Sequence, residues 1–216
     1  MAESPGLRAL KKERTRDLLV EEALALFQRK GFEGATVDEI ALAAGVSRRT
    51  FFRYFPTKEA VVFPDREARL ARFRANLARR EPGETPFARV RRACADMARV
   101  FARQRGRIVA QQRVIEASPA LIAQDHMLDR DWEEAITETF LDGRTGAASR
   151  RRARLLAGAV LGAIRSALRS WIDDEGRSDL EELGNEAFDV LEQGAGAALR
   201  RSTARPRTSD RREEKR

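Results

Sequence analysis

The chain has 216 residues, 42% of them hydrophobic, with a formal charge of +8, one cysteine and one histidine. That length allows one or two domains with a real core, while a single thiol excludes an intrachain disulfide and one Cys with one His cannot close a zinc site. Residues 1–58 carry 11 basic and 8 acidic side chains, residues 59–199 carry 23 of each, and residues 200–216 carry 8 and 3, so a polyanionic partner is expected at the N-terminal block, with the basic end as a helper.

Residues 1–9 lack apolar periodicity and read as a loose arm, whose Arg8, with Lys11, Lys12 and Arg14 beyond it, is available to phosphate or a minor groove. From Leu10 to Arg29, Leu19, Ala23, Leu26 and Phe27 fall on one helix face, and Gly31 ends that helix. Thr36-Val37-Asp38-Glu39 fits a capping box and starts a short helix to about Ala44. Gly45 supplies a turn, and Ser47 caps a third helix whose inner side is Val46, Phe51 and Phe55. A longer helix is expected from Lys58 to about Arg80, disturbed at Pro64.

Glu81 to Pro86 is the clearest linker. Beyond it, Phe87, Val90, Ala93, Cys94, Met97 and Phe101 form a helical stripe, and further helices are expected over 107–116, 119–142, 150–171 and 179–199. An Arg-rich, Pro-containing tail over 201–216 is expected to be disordered. No β pattern of useful length appears, so the fold class is all-α with about nine helices. The longest apolar stretch, Leu155 to Ala163, is closed by Arg154 and Arg165 and falls short of the ~20 residues that span a bilayer. With no signal-like opening, a reducing, cytoplasmic location away from membranes is expected.

Three short helical segments with a four-residue turn between the last two have the geometry of a helix-turn-helix. A glycine turn between amphipathic helices is common on its own. The longer string Thr36-Val37-Asp38-Glu39-Ile40-Ala41, Ala44-Gly45-Val46-Ser47 and Thr50-Phe51-Phe52-Arg53-Tyr54-Phe55-x-x-Lys58-Glu59 resembles the TetR family of transcriptional regulators. The resemblance implies a reading head over residues 1–58 and a helical effector-binding and dimerisation domain over 59–200. With Ile40, Val46, Phe51 and Phe55 turned inward, Arg48, Arg49, Thr50, Phe52 and Arg53 are left to face base edges. Thr36, Tyr54 and Lys58, with Ser47, are implied phosphate contacts, which set register without choosing sequence. Phe52 stands where the family usually has tyrosine, and Arg49 where glycine or proline is frequent.

Beyond about Val62 the resemblance is one of helix count and order. Helices 150–171 and 179–199 are expected to pair with those of a second copy, although the same residues would serve an ordinary core. Met97, Phe101, Gln111, Ile115, Met127 and Trp132 are candidates to line an effector cavity, with Gln112, Glu116 and His126 as nearby polar groups; core or a solvated face is the competing reading. Cys94 reads as a buried small hydrophobe. The Ser47 to Phe55 stretch is also similar to mycofactocin-associated regulators, which implies an acyl thioester or other bulky apolar effector. The expected function is a homodimeric repressor released from a palindromic operator by a small apolar or amphipathic molecule. Without a nucleophile beside a base, a phosphate loop or a metal cluster, an enzyme or carrier is the weaker reading, and no cofactor is expected. A constitutive architectural DNA binder is a third, distinguished by weak sequence preference.

Overall fold

The computed structural model describes residues 5–194, and side chains from residue 9 onward. The predicted tail, the last residues of the final predicted helix and the side chain of Arg8 lie outside them. Among the described residues there are nine α-helices and no strand: α1 (Pro5–Gly34), α2 (Val37–Ala43), α3 (Arg48–Tyr54), α4 (Arg66–Ala78), α5 (Pro86–Arg103), α6 (Arg105–Glu116), α7 (Pro119–Leu141), α8 (Ala147–Asp173) and α9 (Leu180–Gln193), with a 3₁₀ turn at Glu59–Val61.

Two expectations are corrected. The arm predicted as loose is helical from Pro5, because a proline at the first helical position gives up only an N–H that would have no partner there; α1 then bends at Gly31, whose φ is 75°. The helix expected from Lys58 to Arg80 is instead the 3₁₀ turn followed by a separate α4. Pro64 accounts for the break, since it lacks an N–H and disfavours helical backbone at the preceding residue.

The first three helices close around Leu19, Ala23, Phe27, Ile40, Ala41, Phe51 and Phe55, none more than 3% exposed. This core does not stop at the head: it continues through Val61 and Val62 into Val114 and Ile115 of α6 and Leu121 of α7. A second cluster joins Phe73 and Leu77 of α4, Val90, Ala93 and Met97 of α5, Ile136 of α7, Ala157 and Val160 of α8, and Phe188 of α9. A third gathers Ile108, Val109, Trp171, Ile172 and Leu180 at the far end of α8.

At that end the indole of Trp171 donates to the Ser178 carbonyl at 3.0 Å, and the chain reverses through Glu175 and Gly176 at φ 62° and 72°. A Cβ on Gly176 would lie 2.6 Å from Cγ of Arg105. Gly176→Ala should therefore destabilise the protein by about 1–3 kcal/mol, read as a lower urea midpoint. Gly106→Ala, in open space within α6, should be neutral or stabilising by about 1 kcal/mol.

Candidate functional site

The turn between α2 and α3 is a Schellman motif: the amide of Val46 donates to the Ala41 carbonyl at 2.9 Å and that of Gly45 to Leu42 at 3.0 Å, with Gly45 at φ 65°. Ser47 then caps α3, its Oγ accepting from the Thr50 amide at 3.1 Å and lying 3.0 Å from the Thr50 hydroxyl. Phe51 is fully buried against Phe55 and holds α3 down by one face. The opposite face presents Arg48, Arg49, Phe52 and Arg53 to solvent, with Thr50 and Tyr54 half-buried at its margins. Arg48 pairs with Asp38 at 2.7 Å, both well exposed, and lies over the Phe52 ring, while Arg53 lies over Tyr54. A surface pair of this kind is worth about 0–1 kcal/mol, so Arg48 is readily exchanged onto another acceptor.

The implied phosphate contacts carry structural duties as well. Thr36 Oγ1 accepts from the Glu39 amide at 3.2 Å and Glu39 accepts from the Thr36 amide at 2.9 Å, the complete capping box. Lys58 donates to the carbonyls of Phe32 at 2.8 Å and Ala35 at 3.1 Å, fastening the end of α1. An ammonium has three N–H donors, so these two bonds leave one for a phosphate.

Between this head and the remaining helices lies a cluster that sequence reasoning missed. Asp65 receives Arg16 of α1 at 2.8 Å, Arg107 of α6 at 3.0 Å and Arg69 of α4 at 3.6 Å. Burial works against the Asp65 charge, yet these three guanidiniums outweigh it and hold its carboxyl below the ordinary value. Arg16 also donates to the Pro64 carbonyl and lies over the ring of Phe55, the residue that closes α3. The available signal was Arg69 itself, which occupies a stripe position four and eight residues before Phe73 and Leu77.

Helices α4 to α9 line a cavity of about 390 Å³ that opens to solvent. Five of the six predicted lining residues, Met97, Phe101, Gln111, Ile115 and Trp132, border it, as do Gln112, Glu116 and His126. Met127 does not. It is 64% exposed, because the cavity face of α7 runs through Asp125, Leu128, Asp129, Trp132 and Ile136 and a helix turns residue 127 away from that row. Asp125 and Asp129 are bridged by Arg165, although burial still raises both carboxyls above their ordinary value. Cys94 also borders the cavity, and burial pushes its thiol up to about 12, which leaves it unreactive.

Residues 19–63 match the family described as bacterial regulatory proteins, tetR family, and residues 84–196 match the MftR C-terminal domain. The chain belongs to the TetR family. It is 32% identical to the regulator of mycofactocin biosynthesis MftR of Mycobacterium tuberculosis, over 81% of this chain and 86% of that one. It is also 40% identical to the transcriptional regulator TcmR of Streptomyces glaucescens over 133 residues, 56% of either protein. The fold is shared with FadR from Bacillus subtilis, solved in complex with stearoyl-CoA, at a TM-score of 0.59 and 17% identity, covering 81% of this chain and 96% of that one.

The resemblance read from residues 36–59, and its mycofactocin-type leaning, are thus borne out. A TetR-family chain with this helix-turn-helix is a DNA-binding transcription regulator, not an enzyme.

The capping box gives the head an acid sensitivity. The Lys30 ammonium on Glu39, together with the Thr36 amide and hydroxyl, holds the Glu39 carboxyl down at about 2, against an ordinary 4.5. Because the folded value is the lower one, this stabilisation is complete above the ordinary value and is withdrawn as pH falls toward the folded one. Glu39→Gln should lower the urea midpoint at neutral pH and have little effect near pH 2, so that the difference between variant and parent closes across that interval.

Proposed function

We propose that the chain acts as a homodimeric repressor that leaves a palindromic operator when a small apolar or amphipathic molecule enters the cavity. In this reading residues 1–58 form the reading head, residues 59–200 the effector and dimerisation unit, and the protein works in the cytoplasm. Arg48, Arg49, Thr50, Phe52 and Arg53 read base edges, while Thr36, Ser47, Tyr54 and Lys58 hold phosphates. The observation that carries the proposal is the placement of the Asp65 cluster. It touches α1, α4 and α6 at once, beside the cavity on one side and beside Phe55 on the other.

Pairing of two copies is supported by the outer faces of the last helices. Leu155 and Leu156 on α8 are 71% and 47% exposed, and Val190 on α9 is 39% exposed. Of the described helices, α8 has the length and apolar composition to cross a bilayer, with little of that stretch buried, yet Arg150, Arg151, Arg152 and Arg154 crowd its first turns. An apolar face flanked by that much charge suits a second copy of the same helices. A symmetric pair then presents two α3 helices to half-sites ~34 Å apart.

An effector works only through unequal affinity for the two states. Loosening the operator tenfold requires about 1.4 kcal/mol of coupling.

Selection of genomic fragments by the purified protein should enrich an inverted repeat; recovery of random fragments would overturn sequence-specific reading. Arg48→Ala with Arg53→Ala should lose discrimination against mismatched operators by about 1–3 kcal/mol per base contact removed, with an unchanged unfolding midpoint. Asp65→Asn should retain operator binding but respond less to an effector, seen as a smaller ligand-induced shift in the mobility-shift titration.

A further inference from the structure

A cluster of charge stands beside the head-facing end of the cavity, and Arg69 is the member that borders the cavity itself. Arg16, Arg69 and Arg107 converge on Asp65, and the second carboxylate on Arg107, Asp17, is largely exposed. Arg69 is the worst served of the three. Its Nε and Nη2 are buried without a hydrogen-bond partner, and its 3.6 Å approach to Asp65 is longer than a hydrogen bond. Its guanidinium lies over the ring of Phe101, and both residues border the cavity.

A second orphan stands at the same end. Gln111 is 4% exposed, borders the cavity, and its Oε1 has no hydrogen-bond partner. It follows Arg107 by one turn on the same face of α6, and Arg107 meets Arg69 at Asp65. Arg69 and Gln111 therefore border one cavity, and each carries buried polar atoms whose lack of a partner is costly. Of the other acidic residues on the wall, Asp125 and Asp129 are occupied by Arg165 on the α7 side and Glu181 by Arg99, while Glu116 is exposed.

We propose that this end binds the head group of a hydroxylated carboxylic acid with an apolar body, Arg69 donating to the carboxylate and the Gln111 carbonyl accepting from the hydroxyl. The inference rests on the reading of the cavity as the effector site. A carboxylate matches the planar fork of a guanidinium and would give Arg69 a counter-charge of its own, where Asp65 is divided among three arginines. The apolar body lies along Phe73, Met97 and Trp132.

The full chain without DNA is titrated with β-hydroxydodecanoate, dodecanoate, methyl dodecanoate and dodecanoyl coenzyme A, followed by calorimetry and by tryptophan fluorescence, to which Trp132 on the cavity wall and Trp171 away from it both contribute. Dodecanoate should bind about tenfold tighter than its methyl ester, and the hydroxylated acid about threefold tighter again. Arg69→Gln should abolish the preference for acid over ester, and Gln111→Leu the preference for the hydroxyl. An ester that binds the parent protein as well as the acid overturns the proposal, and that arm needs no variant. A thioester that binds tightest overturns it too, while leaving the cavity as an effector site. Absence of binding by every probe also overturns it, without touching the reading of operator DNA, which is assayed separately.

Discussion

A guanidinium placed beside an apolar cavity must find a counter-charge, and here one carboxylate serves three. Asp65 joins α1, α4 and α6 at the point where the packed head meets the remaining helices. Shared in this way, it fixes where α4 begins relative to α1, and hence the height at which α3 stands above the body. Removing a charge from water costs energy that attraction must return, so the three helices can shift only if the arginines are satisfied elsewhere. Apolar packing alone would resist separation without favouring one arrangement so sharply.

Most of the head was legible because its signals are local. A capping threonine, a glycine at positive φ and a serine cap each act within a few residues, and the alternation of Ile40, Phe51 and Phe55 with exposed arginines follows from helical period alone. The boundary errors have equally local causes: Pro5 opens a helix as readily as it interrupts one, and Pro64 ends one outright. Met127 failed because apolar character was taken to mean inward direction, whereas its neighbours Asp125, His126 and Asp129 point inward.

The cluster at Asp65 was not legible for a different reason. Two of its members, Arg107 and Arg16, lie 42 and 49 residues from Asp65 along the chain, and nothing in the local pattern ties Asp65 to either. Arginines are common in this sequence, and the one local signal, Arg69 on the stripe of Phe73 and Leu77, marks a charge on an inward face without naming its partners. Polar groups inside a helical body are decided by tertiary placement, which helical periodicity does not specify.

The core that runs unbroken from Phe51 through Val62 to Ile115 and Leu121 has a bearing on how such proteins can be recombined. A reading head is often treated as a cassette to be moved between regulators. Here part of its inner wall is supplied by α6 and α7. Transplanting the first three helices onto another body would bring the recognition surface without the floor beneath it, and a working chimera would have to carry Val114, Ile115 and Leu121 along.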